Sequence, residues 1–507
     1  MKKQLFTFLL ALILLIIPLT SCSKNDPPEA DTAPVETRPV DTGEYTNDRD
    51  DLPPDLNLDG QTFTIFSIAQ WVAGGEFAVM EAEDVAEGSE LEKAVFQRNT
   101  AVQDRLNCVI ENVESLGDTN TDEMLTKVEQ MNNSGSGEYQ LLVTASYRMS
   151  TLAVRGLLTD LAALPSIDLG KDYYSQGYNE ALSMGDAQYL LTGTFTMGYY
   201  RYLMANLFSK KLFNDNNIDF PYELVREGEW TFDKMYEITQ ELYRDLNGDS
   251  VEDKDDQYGY VIMTGYNSSF TDAFMSACDL HVLTKNEENY YEVNINAERY
   301  SDAMDKILEL LMGEGTLSGD SLSANDVYAK FANNTAAMIT TRLYGLEDAA
   351  VAEMGQTPGY GYGVVPVPKL DAAQQDYYSY VQDQCFTFGV SSWFTGDWLT
   401  EISQFLECFA SESYRIIKPA FYEKALTLQY VSDPESVEML DMIGSNVVVD
   451  PVNIYNDLPF NTTVFRGIYA TGNNTVSSML ASQVTNGQLR EAVDEINAAY
   501  QALVNRN

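Results

Sequence analysis

The segment RDLNGDSVEDKDDQYGY, Arg244 to Tyr260, carries oxygen-bearing side chains at the spacing of a twelve-residue calcium loop. Counted from Asp245, positions one, three, five, nine and twelve are Asp245, Asn247, Asp249, Asp253 and Asp256, and position seven offers the carbonyl of Val251. Hard oxygens in that order suit Ca2+, and Asn247-Gly248 supplies a turn that accepts positive φ. Two positions depart from the pattern. Ser250 stands sixth, where glycine usually makes the sharp turn, and Asp256 stands twelfth, where the longer Glu usually binds through both oxygens. The plain alternative is a solvated acidic turn. A calcium ion here is expected to be structural, pinning a surface connection. No organic cofactor is expected.

Other chemistries are poorly supplied. The chain has one histidine, His281 in ACDLHVLT, which follows an apolar stretch and reads as structural. A Ser-His-Asp triad would have to use it, no G-x-S-x-G elbow occurs, and a His-rich zinc site is impossible. Cys108, Cys278, Cys385 and Cys408 form no CxxC pair and sit in apolar contexts such as LNCVI and LECFA. They read as small buried hydrophobes. Paired carboxylates need no histidine, so a cell-surface carbohydrate-active enzyme is the enzymatic alternative. An adhesion or scaffold protein is a third reading. With 77 acidic against 31 basic residues the net charge is −46, which argues against nucleic acid and against anionic lipid surfaces as partners.

The chain opens with MKKQLFTFLLALILLIIPLTSC. Lys2 and Lys3 precede an apolar core too short for a comfortable bilayer span, which Pro18 ends. Leu19-Thr20-Ser21-Cys22 resembles the bacterial lipobox, which implies a signal peptide over 1–21 and diacylglycerol on the Cys22 thiol. The expected location is the extracellular face of the cell membrane, lipid-anchored. A plain secretory signal with a chance cysteine is the alternative. Residues 22–56 are rich in Pro, Asp, Glu and Thr, with few large apolar side chains, and read as a tether.

Behind the tether the elements alternate. GQTFTIFSIA, Gly60 to Ala69, reads as a strand. SELEKAVFQRNTAVQDRLNCVI, Ser89 to Ile110, opens on a Ser89/Glu92 capping box and carries an apolar stripe through Leu91, Val95, Val102 and Leu106, so it reads as a helix. CVIENV, the helical TDEMLTKVEQMNNSGSG and the apolar EYQLLVTASY follow. This rhythm gives βαβ units and an α/β lobe.

Further on, FSKKLFNDNNIDFPYELVREGEWTFDKM, FANNTAAMITT and YGYGVVPVPK occur in the order and spacing of family 1 extracellular solute-binding proteins of bacterial ABC importers. Lys211, Leu212, Pro221, Trp230 and Thr231 stay in step with that family's pattern, and Asn334 departs where Gly is common. The chain after the tether resembles this family. The resemblance implies an α/β, two-lobed, periplasmic-binding-protein-like fold with discontinuous lobes and a hinge crossover. Lobe one would take residues 57–165 and 370–425, and lobe two 166–369 and 426–507. It also implies a monomer that hands a small solute to ABC permease transmembrane subunits, with Trp230 packing a helix start.

Ligands of α/β sheets bind outside strand ends, and sugars stack on aromatic planes while planar polar groups bond their hydroxyls. Tyrosine supplies 32 residues. Candidates at expected strand ends are Ser67, Trp71, Ser146, Tyr147, Thr192, Tyr199, Tyr200, Tyr266, Asn267, Arg342, Tyr344 and Gln384. Arg342 is the only basic residue among them, so a neutral, hydroxyl-rich solute such as an oligosaccharide is expected. For each residue, core packing or plain surface is the competing reading.

Overall fold

The computed structural model describes residues 49–505 apart from 86–87, 116–121, 266–267, 357–360, 423–432, 456–457 and 459–461. Cys22 and the signal segment lie outside the described residues, as do Tyr266 and Asn267.

Two sheets organise the chain. The first has the order Phe386–Val390, Leu141–Ala145, Gln61–Ser67, Cys108–Glu114. Its early strands run parallel, as helical crossovers require, while Phe386–Val390 pairs antiparallel with Leu141–Ala145. Helix Glu90–Leu106 begins with both bonds of the Ser89/Glu92 capping box and packs against helix Asp397–Lys418. From the latter, Phe405 stacks on Phe63 of the sheet with ring centroids 4.5 Å apart. The second sheet has the order Tyr362–Val365, Met204–Ser209, Ala336–Arg342, Tyr258–Met263, Thr316–Gly319. Its central strands are buried throughout or nearly so, which is why they read as continuous apolar runs. Trp230 is fully buried at the start of helix Phe232–Leu242, its indole N–H donating to the Pro366 carbonyl at 2.9 Å.

The two lobes are built around these sheets, but their boundaries fall elsewhere than the sequence suggests. Parts of 166–195 pack with the first sheet, where Leu191 bridges Phe388 and Tyr174 donates to Glu407 at 2.7 Å, while Ala181 and Gly185 accept from Tyr291 and Asn289 at 3.0 and 2.6 Å. The chain first crosses at helix Met197–Arg201, beyond residue 165. Residues 370–380 stay with the second sheet's lobe. There Gln374 donates to the Ala277 carbonyl at 2.8 Å, and the Tyr377 hydroxyl accepts from the Trp230 N–H at 3.0 Å. The return crossing is at Val381–Cys385, where Val381 bridges Leu203. The C-terminal helix Gln488–Val504 joins both lobes: Asn497 pairs with the Tyr291 backbone, and the Tyr500 ring lies 5.5 Å from that of Tyr189.

The packed chain also begins inside the segment read as a tether, before residue 57. Asp50 is buried, with a bidentate ion pair to Arg105 and its N–H donating to Ser411 Oγ at 3.1 Å, while Asp51 pairs with Lys171 at 2.8 Å. An acidic segment poor in apolar residues is held here by charge and hydrogen bonds instead of hydrophobic burial, which composition does not reveal.

Candidate functional site

Strand register sets which residues face the space between the lobes. On the first sheet, the ends meet where Ser67 aligns with Glu114 and Val143, and Ala145 with Phe386. On the second, Met204 aligns with Arg342, and Met263 with Gly319. The crossings knit these ends together: the Leu343 N–H donates to the Leu203 carbonyl at 2.8 Å, and the Gln382 N–H to the Tyr202 carbonyl at 3.0 Å.

The candidates among the described residues divide into two groups. Several are consumed by interior bonds. Ser67 donates to the Ile68 carbonyl and accepts from Asn112 at 2.9 Å. Ser146 is fully buried among Tyr178, Thr387 and the Cys385 carbonyl. Thr192 donates to the Phe386 carbonyl at 2.7 Å. Tyr199 shares a 3.0 Å bond with Ser175, and the Tyr200 ring lies 4.8 Å from that of Tyr422. Tyr147 is buried beside the Arg148 guanidinium. Ser67 ends a strand, while Ser146 and Tyr147 open a helix and Tyr199 and Tyr200 lie in the crossing helix, and the side chains of all six turn back into the protein.

The others converge. Trp71, on the short helix Gln70–Ala73 after the first strand, is 71% exposed, and Tyr344, after strand Ala336–Arg342, is 42% exposed. They stand on opposite lobes. Arg201, from the first crossing, reaches between them. Its guanidinium carbon is 4.5 Å from the Tyr344 ring centroid, and Nη1 donates to the Val72 carbonyl at 2.9 Å. Nε and Nη2 grip both carboxylate oxygens of Glu347 at 2.8 Å each. Arg342 donates from Nη1 to Gln382 and Gln384, both at 3.0 Å, and lies 5.9 Å from the Tyr344 ring centroid. Tyr344, Arg342 and Gln384 are therefore gathered at one crossing, and the helix that carries the exposed Trp71 is tied to it through the Val72 carbonyl. Arg201, Glu347, Tyr202 and Gln382 were not singled out from the sequence. The available signal was Arg201 itself, one charge inside the aromatic run MGYYRYL.

Buried carboxylates support this arrangement. Glu76 accepts from Thr196 Oγ1 at 3.0 Å and from the Met197 N–H at the start of the crossing helix. Its pKa is pushed up to about 7 by burial, against the pull of Arg98. Glu407 is likewise raised to about 7 by burial, although the Tyr173 and Tyr174 hydroxyls donate to it. Asp383, between the two glutamines, is raised to about 7 by burial and by Asp272. Each binds its proton more tightly folded than unfolded, so stability is full below the unfolded carboxylate range and falls as pH rises to about 7. The melting temperature is expected to be higher at pH 5 than at pH 7.5, with Glu407→Gln flattening part of that slope. A scan over pH in one ionic strength checks this, and a rising profile would contradict it.

The acidic loop closes on itself. The Arg244 and Gln257 backbones pair at its neck. Asp245 accepts the Gly248 and Ser250 N–H groups, Asp249 accepts that of Val251, and Asp253 that of Asp255. Asn247 donates to Asp249 at 3.0 Å. Ser250 takes φ +62°, the left-handed turn that position six of such a loop needs, without being glycine. Asp256 is turned inward to the Leu246 and Asp253 N–H groups and the Tyr243 hydroxyl. Among the described residues no three His, Cys, Asp or Glu side chains converge as a metal cage.

Residues 112–384 match the family model of the bacterial extracellular solute-binding protein. The chain belongs to that family. This solute-binding protein has no match among curated proteins. Solved structures share its fold. A cyclo/maltodextrin-binding protein complexed with maltotetraose is 15% identical, with 88% of this chain and 97% of the other covered and a TM-score of 0.52. A sugar transporter from Rhizobium etli in an open conformation is 14% identical, covering 87% and 99%, with a TM-score of 0.53. A substrate-binding protein from Listeria monocytogenes in complex with cycloalternan is 15% identical, covering 87% and 100%, with a TM-score of 0.50. The two-lobed fold is thus that of the periplasmic-binding-protein type. Among the described residues no helix is long and apolar enough to cross a membrane.

Proposed function

We propose that this family member is the lipid-anchored receptor of an ABC importer and takes a neutral oligosaccharide between its lobes, without catalysing a reaction on it. The observation that supports the ligand reading is the pair of exposed aromatic side chains, Trp71 and Tyr344, on opposite lobes, with Arg201 under the Tyr344 ring and bonded to the Val72 carbonyl in the helix of Trp71. Aromatic faces stack on the apolar faces of sugar rings, and the nearby Gln382, Gln384 and Arg342 suit hydroxyl groups. A thermal-shift screen tests the reading with maltodextrins, cyclic glucans, amino acids, peptides and polyamines. Oligosaccharides should raise the melting temperature. Stabilisation by charged ligands alone would refute the sugar reading.

The anchor rests on the Leu19–Cys22 motif. Cys22→Ala should abolish fatty-acid labelling in vivo and shift the protein to the medium or to an uncleaved membrane form. An unlabelled wild-type chain would contradict the anchor.

The acidic loop is proposed to take calcium, with Asp245, Asn247, Asp249, Asp253 and the Val251 carbonyl as ligands and Asp256 joining by rotation away from its backbone partners. At about 1 mM calcium and a dissociation constant on the order of 10⁻⁴ M, the gain is about 1.4 kcal/mol. Asp249→Ala should erase the calcium-dependent part of the melting temperature and leave sugar affinity unchanged. A wild-type melting temperature indifferent to chelator would rule the site out.

A further inference from the structure

Arg201 is almost fully buried, yet it belongs to neither sheet. It ends the helix by which the chain first leaves lobe one. Its three donor directions are spent on two different lobes: Nη1 on the Val72 carbonyl of lobe one, Nε and Nη2 on the Glu347 carboxylate of lobe two. The guanidinium face lies under the Tyr344 ring, and Val72 is the neighbour of Trp71 in the same short helix. The surrounding backbone is shaped to it. Gly74 sits at φ +64°, and a Cβ there would stand 2.9 Å from Arg201 Nη1, so both conformation and space favour glycine. The other end of the crossing helix is gripped by the same lobe-one segment, through Glu76 and the Met197 N–H. The Trp71 segment therefore follows the crossing helix, and Tyr344 follows Arg201.

We infer that Arg201 is the positioning residue of the cleft. It fixes the placement of the Trp71-bearing helix relative to Tyr344, and so makes tight binding depend on a ligand long enough to engage both aromatic faces, an oligosaccharide in preference to a single sugar ring. The preference for longer ligands rests on the oligosaccharide reading above; the tie between the lobes does not. Only a planar fork can hold a carboxylate through two parallel bonds and still donate to a carbonyl in a third direction. Lysine keeps the charge and cannot do this.

The experiment compares wild type, Arg201→Lys and Glu347→Gln in the full mature chain. Calorimetric titration with maltose, maltotriose and maltotetraose reads the length dependence. Small-angle scattering of the ligand-free proteins reads the lobe arrangement. Both variants should lose roughly tenfold in affinity for the longest ligand that binds, and clearly less for the shortest. Both should show a larger radius of gyration than wild type without ligand. Equal losses at every length would make Arg201 merely structural and overturn the inference. An unchanged radius of gyration in both variants would also overturn it. If no glucan binds the wild type, the sugar reading fails, and the scattering comparison still decides whether Arg201 ties the lobes.

Discussion

With Trp71 and Tyr344 both replaced by alanine, the protein should bind its oligosaccharide roughly 30-fold more weakly while melting close to the wild type. Each sugar–aromatic stack is worth on the order of 1 kcal/mol, and a decade in affinity is about 1.4 kcal/mol. The side chains lie on different lobes, so their effects should add. Trp71 is 71% exposed and Tyr344 42% exposed, which leaves little folding free energy to lose. Tyr344 covers the Arg201 guanidinium, so its single replacement is expected to cost slightly more stability than that of Trp71. Titration calorimetry and a melting curve on the same samples separate the two effects. A double variant within twofold of wild-type affinity would show that the exposed rings are ordinary surface.

The largest stability effect is expected from Arg466→Ala. Arg466, on helix Thr462–Thr471, holds Asp272 through Nε at 2.7 Å and through Nη2, with side-chain exposures of only 14% and 1%. Removing one member of such a pair leaves a buried charge without its partner, which costs about 3–5 kcal/mol. The loss should be worse here than for an isolated pair, because burial and Asp272 already disfavour charge on Asp383, and Arg466 offsets them only in part. Adding Asp272→Asn to Arg466→Met removes the stranded charge and should recover more than half of the loss. Denaturant midpoints give the comparison. A single variant as stable as the wild type would mean that water reaches Asp272 freely.

What the sequence revealed was local. The Ser89/Glu92 box lies three residues apart, and helix Glu90–Leu106 starts there with both bonds made. Strand Gln61–Ser67 shows as an alternation bounded by glycine and Leu141–Ala145 as an apolar run. Trp71 and Tyr344 follow strands and are exposed, whereas Tyr147 follows one and is buried, so position past a strand does not by itself separate them. The lobe boundaries could not be read this way. They depend on pairings such as Leu191 with Phe388 and Asp50 with Ser411, the latter 361 residues apart, and no local pattern encodes them. Ser146 and Tyr199 misled for the same reason. Their partners, Thr387 and Ser175, come from other segments and draw the hydroxyls inward. No local pattern marks the role of Arg201, whose partner Glu347 is 146 residues away.

A crystal structure of the protein with the tightest ligand from the thermal-shift screen tests the central claim most directly. The account predicts density for a multi-ring sugar between the lobes, with ring faces against Trp71 and Tyr344 and hydroxyls bonded to Gln382, Gln384 or Arg342. A ligand bound on the outer face of either lobe, or between the lobes without touching either aromatic ring, would contradict it.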